Sequence, residues 1–167
     1  ELSVDGGTTW STAASTTGAS STTASVTGLT NGVGLAVRIA VIDSGSAVAH
    51  SGVVVAVPVG SPTAPTALSA VAGDGVVALS WTPPTDSGGR VITGYRVERS
   101  TDGVSWTTVI SDTATVVPSA VIGSLINGTA VRFRVSALAG AIVGSASAEV
   151  RATPAREADL PTALVAV

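Results

Sequence analysis

Between Thr66 and Thr153 apolar residues return at every second position in short runs, each closed by glycine, proline, aspartate or asparagine. A period of two is what a strand with one buried face requires. Leu68 and Ala70 begin a first strand, stopped by Gly73-Asp74-Gly75. Val77, Leu79 and Trp81 share one face of a second, with Ala78 and Ser80 on the other. Pro83-Pro84 ends it, because neither proline can donate to a ladder. After the Gly-rich loop Thr85 to Arg90, Ile92 to Ser100 form a third strand with Tyr95 and Val97 facing in. Asp102-Gly103 signals a hairpin turn into Trp106 to Ile110. A weaker strand lies around Ala120 to Ile122, Asn127-Gly128 turns the chain, and Val131, Phe133 and Val135 alternate with Arg132, Arg134 and Ser136. A loop from Ala139 to Gly144 precedes a last strand from Ser147 to Ala152. No window has the period of a helix. Seven short strands with turns this regular predict an all-β, antiparallel two-sheet sandwich, with Trp81, Tyr95 and Phe133 in one core.

The same landmarks occur twice. Trp10 precedes Trp106, Leu29 precedes Leu125, Asn31-Gly32 precedes Asn127-Gly128 and Pro58 precedes Pro154, each by 96 positions. Pro65-Thr66-Ala67-Leu68 returns as Pro161-Thr162-Ala163-Leu164 at the same offset. One constant offset predicts tandem homologous domains. In this frame Glu1 falls on Val97, in mid-strand, and Val167 falls on Val71. Val37, Ile39 and Val41 then face one way with no counterpart of the first two strands to cover them. The expectation is an apolar face and an open edge, completed by the same polypeptide or by a strand from a second chain, with Leu160 to Val167 the natural donor.

Several of these residues carry a family resemblance: Pro65-Thr66-Ala67-Leu68, Leu79-Ser80-Trp81 with its two prolines, Ile92-Thr93-Gly94-Tyr95-Arg96-Val97, Leu125-x-Asn127-Gly128-Thr129 and the Arg-Phe-Arg-Val strand. Together they resemble a fibronectin type III domain. The resemblance implies tandem fibronectin type III-like sandwiches with seven strands per complete domain. It divides the chain into 1–58 as the C-terminal part of one domain, 59–64 as linker, 65–154 as a complete domain, 155–160 as linker, and 161–167 as the first strand of another. One departure stands out. The family usually places a tyrosine where this chain has Val131, and Val37 in the first copy, and its hydroxyl ties back to the loop. Its loss removes a hydrogen bond worth about 0.5–1.5 kcal/mol net, so the domains are expected to draw some stability from their neighbours. Both linkers are short with proline at each end, which predicts semi-stiff joints.

Composition narrows the functional classes. No Met opens the chain and no charged-then-apolar leader is read at its start. No apolar run approaches the roughly 18 residues of a membrane span. Cysteine is absent, which removes disulfides and thiolate chemistry. The net charge of −3 gives no basic surface for nucleic acid or an anionic membrane. Charged residues make up 11% of the chain, well under the roughly 25% of an ordinary globular protein, and every cation is arginine. That reads either as the codon bias of a GC-rich genome or as a surface buried in an assembly or carrying sugars.

Candidate chemistry is thin. His50, the single histidine, reads as a loop residue before the last strand of the first copy, since a lone histidine makes no dyad. Asp5, Asp74, Asp86 and Asp102 each stand near glycine, where aspartate favours turn geometry, and scattered single turns do not converge as a calcium site needs. Asn127-Gly128-Thr129 satisfies the glycosylation sequon, but Asn-Gly is also what the turn demands. Thr8 to Thr30 is uncharged and rich in Ser and Thr, readable as plain strand faces, a sugar-bearing surface or a packing face. Arg96, Glu98, Arg132 and Arg134 read as a solvated cross-strand charge ladder. Ile142 and Val143 are expected exposed at a loop tip, in contact with a neighbouring domain. No catalytic, cofactor or metal residues are assigned.

The function expected is a non-catalytic structural repeat of a bacterial extracellular surface protein: a spacer, stalk or self-assembling fibre. Its partners would be neighbouring repeats of the same protein, with no nucleic acid and no membrane insertion. The alternatives are a spacer in a secreted polysaccharide-degrading enzyme and a cell-surface adhesin module.

Overall fold

The structure, a computed structural model, describes residues 1–15 and 22–156. The described chain is all-β and divides into two compact units, Glu1–Gly60 and the part from Ser61 on. The first unit holds β1 (Leu2–Ser3), β2 (Leu35–Val37), β3 (Ala40–Asp43), β4 (Ser46–His50) and β5 (Val54–Ala56). β1, β2 and β5 form one antiparallel sheet in that order, and β3 and β4 form a hairpin.

The second unit holds β6 (Thr66–Ala72), β7 (Val77–Thr82), β8 (Gly94–Ser100), β9 (Thr107–Ile110), β10 (Ser119–Ile122), β11 (Val131–Ala139), β12 (Ile142–Ala146) and β13 (Val150–Ala152). One sheet runs β10-β7-β6; the other runs β12-β11-β8-β9, with β13 also on β11. Every pairing is antiparallel. The inner faces meet in a single core. β7 alternates buried and exposed along its whole length, so Val77, Leu79 and Trp81 point in. From the other sheet come Tyr95, Val97, Val131, Phe133 and Val135, all buried. Trp81 and Tyr95 meet edge to face, with ring centroids 4.9 Å apart and planes at 68°, the geometry that aromatic quadrupoles favour.

Two elements differ from the expectation. The segment 139–144 is not a loop: β11 continues to Ala139 and β12 starts at Ile142, across a tight turn in which Gly140 holds φ 60°. Ile142 and Val143 are exposed as expected, at 37% and 39%, but in a paired edge strand beside the turn and not in a loop. The last strand is in turn split in two, because Ser147 enters the ladder with its side chain. Its Oγ accepts from the Val135 N–H at 3.0 Å and donates to the Ala148 carbonyl at 2.8 Å, breaking the pairing between β12 and β13. The seven expected strands are present, the seventh in two pieces.

The loop that lacks its tyrosine is tied by other means. Asn127 donates to the Asp74 carboxylate at 2.6 Å and accepts from the Gly75 N–H at 2.8 Å. The Leu125 N–H reaches the Gly75 carbonyl, and the Gly128 N–H reaches that of Pro154. Val131 is buried where the ring would stand. The asparagine amide thus replaces the missing hydroxyl from within the unit, and no neighbour is needed for that bond. Part of the expected linker is also fastened down: the Pro62 carbonyl accepts from Ser145, and Thr63 exchanges hydrogen bonds with Asp86.

The first unit reuses this geometry. Leu35 pairs with Ala56 as Val131 pairs with Ala152, and Ala40 with His50 as Ser136 with Ala146. Ser51 bonds Ile39 and Gly52 as Ser147 bonds Val135 and Ala148. At β1 the frame shifts by one. Ser3 pairs with Ala36 as Ser100 pairs with Arg132, which sets Glu1 against Glu98, not Val97. The cause is one additional residue between Ser3 and Trp10 compared with Ser100 and Trp106. Leu35 and Ala36 are buried, whereas Ile39 is 69% and Val41 55% exposed. The equivalents of those two in the second unit, Val135 and Ala137, are fully buried beneath the β7 sheet. The expected strand donor, Leu160 to Val167, lies outside the described residues.

Candidate functional site: an arginine-clamped glutamate on the outer sheet face

β8 and β11 lie side by side with Glu98 opposite Arg134 on the outer face. The sequence reading made this a solvated ladder. Instead Glu98 is 6% exposed. Its Oε2 accepts from Arg134 Nε at 2.8 Å and its Oε1 from Arg96 at 3.0 Å. The Arg134 guanidinium lies 4.3 Å from the centre of the Trp106 ring. Arginine is suited to this position, since its flat cation can stack and donate in its own plane at once. With both arginines on its carboxylate, the Glu98 side chain is left 8% exposed. Arg132 bonds Glu149, outside this cluster.

The first unit carries the same trio. Arg38 stacks on Trp10 at 4.1 Å and donates to Glu1 at 2.6 Å. His50 stands at the end of β4, not in a loop, with Nε2 3.3 Å from the Glu1 carboxylate. The Glu1 carboxyl is held below its ordinary range, first by the Arg38 hydrogen bond. The strand pattern placed Glu98 and Arg134 on one face. The tryptophan lid was missed, because Trp106 precedes β9 in an irregular turn where periodicity gives no direction.

The turn aspartates act on backbone. Asp102 accepts from the N–H groups of Val104 and Ser105, each at 2.8 Å, and from the Ser100 hydroxyl. Those bonds, in that order, hold its carboxyl well below the usual range. Asp5 is lowered in the same way by the Ser3 hydroxyl and by Thr9. A depressed folded pKa contributes stability that is present above the unfolded value and lost as pH falls through the folded one. In urea melts at successive pH values, wild type is therefore expected to exceed Asp102→Asn at neutral pH. The gap should begin to narrow below about pH 4, the ordinary aspartate value, and close only as pH falls through the lower folded one. A gap that is constant down to pH 2 would assign the effect to the turn's shape and not to its charge.

Asp74 and Asp86 also serve loops, Asp74 bonding Asn127 and Asp86 accepting from Gly88. With its amide engaged by Asp74, Asn127 acts as turn chemistry requires. Among the described residues no group of three or more His, Asp or Glu could hold a metal ion. Part of Thr8 to Thr30, residues 16–21, lies outside the described residues; apart from the single bridge at Ser11, the rest of it is outside any strand pairing.

The fibronectin type III domain family matches residues 60–153, and this chain belongs to it. Domains A168–A170 of titin superpose with a TM-score of 0.54 at 20% identity, over 75% of this chain and 41% of that one. A β-1,2-glucanase from Parabacteroides distasonis matches with a TM-score of 0.51 at 25% identity, over 61% of this chain and 14% of the enzyme. The fourth such domain of a human protein matches with a TM-score of 0.50 at 20% identity, over 63% of this chain and 88% of that chain. The chain thus spans under half the length of the titin segment and a small part of the glucanase. Domains of this family are generally non-catalytic, and the chain carries a structural or accessory module.

Proposed function

We propose that this chain is a stretch of tandem fibronectin type III domains in a bacterial extracellular protein, serving as a spacer, stalk or fibre. The observation carrying this reading is the recurrence of one strand register and one Trp-Arg-Glu cluster in both units. A cluster facing outward from the core, built twice with the same parts, stiffens the sheet without needing a ligand. Low charge and proline-bounded joints suit modules that pack closely on neighbouring repeats, and an exterior position suits the family. A second reading, a spacer in a secreted polysaccharide-degrading enzyme, is favoured by the glucanase match.

The array reading requires the module to fold by its own core. The fragment Ser61–Arg156 is expected to give a cooperative β-type melt by circular dichroism, unchanged by chelator or reductant. A coil spectrum, or a melt that moves with chelator, would refute it. The reading frame on either side separates the two proposals. Further copies at a spacing near 96 residues support the array, while an adjoining catalytic domain supports the enzyme spacer.

A further inference from the structure

The outward face of the sheet β10-β7-β6 carries no charge. No Asp, Glu or Arg occurs in its three strands, while every charged strand residue of the second unit lies in β8, β11 or β13. The outward residues stand in rows across the strands. Val71, Ala78 and Val121 form one row, and Ser69, Ser80 and Ser119 the next, with the Ser69 and Ser80 hydroxyls 2.8 Å apart. On the turn side of the valines, Val76 sits between two glycines. The Gly73 N–H reaches its carbonyl, and Cβ atoms on Gly73 and Gly123 would stand 2.9 and 4.0 Å from its two methyls.

Size alternates between these rows. In one, valines flank an alanine; in the other, glycines flank a valine. Val71 is 70% and Val121 67% exposed, two knobs beside a trough over Ala78. Val76, also exposed, is a knob between two troughs.

We infer that the second unit pairs with a second copy of this chain through this face, about a two-fold axis running along the rows midway between these two. That axis lays each row on the other. Val76 of the second copy falls over Ala78, and its two flanking valines fall over Gly73 and Gly123. The surface is its own complement, as an isologous pair requires. Sheets packed face to face keep their strands within about 30° of each other, so the rows can meet. The nearest charge, Asp74 in the turn, then faces the serine row and not another carboxylate. Strands about 4.8 Å apart and same-face rows about 6.7 Å apart give four rows a footprint of roughly 14 by 27 Å. Over both copies that is about 800 Å² in projection, and side-chain relief brings it to the low end of specific interfaces. The dimer is therefore weak, with a Kd of about 10 μM to 1 mM. The inference deepens the self-assembling form of the reading above, yet it rests on the second unit's surface alone.

The test is sedimentation equilibrium of the full 167-residue chain, from about 10 μM to about 1 mM. A monomer–dimer equilibrium is expected. Ala78→Val fills the trough and Val76→Ala removes the knob, and each should weaken dimerisation at least about tenfold. Ala78→Val also adds apolar surface and strand propensity, so weaker pairing there separates shape from mere stickiness. The double variant exchanges knob and trough, and should return to within about threefold of wild type. Should Val76→Ala melt early in urea, Ala78→Val against the double variant gives the reading. A chain that stays monomeric to about 1 mM overturns the inference and leaves the tandem reading to the flanking frame. Dimers indifferent to the single changes place the contact elsewhere, as on the exposed Ile39 and Val41 of the first unit, and overturn it too. So does a double variant that fails to restore pairing.

Discussion

Trp81→Ala is expected to destabilise the second unit by about 3–5 kcal/mol, the range for a large aromatic lost from a core. Trp81 is 5% exposed, at the end of the β7 face that also carries Val77 and Leu79, and its ring meets Tyr95 edge to face. Truncation removes the transfer energy, opens a cavity between the two sheets and takes away an aromatic contact. Trp106→Ala should cost much less, about 0.5–2 kcal/mol for a half-buried ring under a cation. Paired urea melts of the two variants decide it. If Trp106→Ala proved the more damaging, the outer cluster and not the core would be the anchor of the fold.

The second large effect belongs to Arg134. Arg134→Ala should cost about 2–4 kcal/mol, since it leaves Glu98 buried with a single remaining cation and uncovers Trp106. Glu98→Gln should cost less, about 1–2 kcal/mol. The asymmetry follows from exposure: the side chains of Arg96 and Arg134 are each about a third exposed and can turn to water, whereas that of Glu98 is 8% exposed and cannot. Denaturant melts at neutral pH and moderate salt compare them directly. Equal losses would mean that the carboxylate is solvated after all, as the strand pattern by itself suggests.

The alternation of Val77, Leu79 and Trp81, and of Val131, Phe133 and Val135, was enough to orient two central strands. The reason is that a strand buried on one face has only two ways to point its side chains. Turn positions were equally legible, because Gly73-Asp74-Gly75, Asp102-Gly103 and Asn127-Gly128 are residues that particular backbone angles select. The 96-residue offset between paired landmarks was legible as spacing, since a constant offset needs no geometry to be seen.

What the sequence by itself determined was therefore local: strand directions, turns, the aromatic core and the fold class. Tertiary structure decided what depends on partners distant in the chain. Whether Glu98 meets water depends on Arg134 and Trp106 closing over it from two other segments. Whether the last strand runs unbroken depends on the Ser147 hydroxyl reaching Val135 across the sheet. The tie replacing the missing tyrosine joins Asn127 to a turn 52 and 53 residues earlier. Alternation reports which face a residue occupies, but only packing reports what lies on that face.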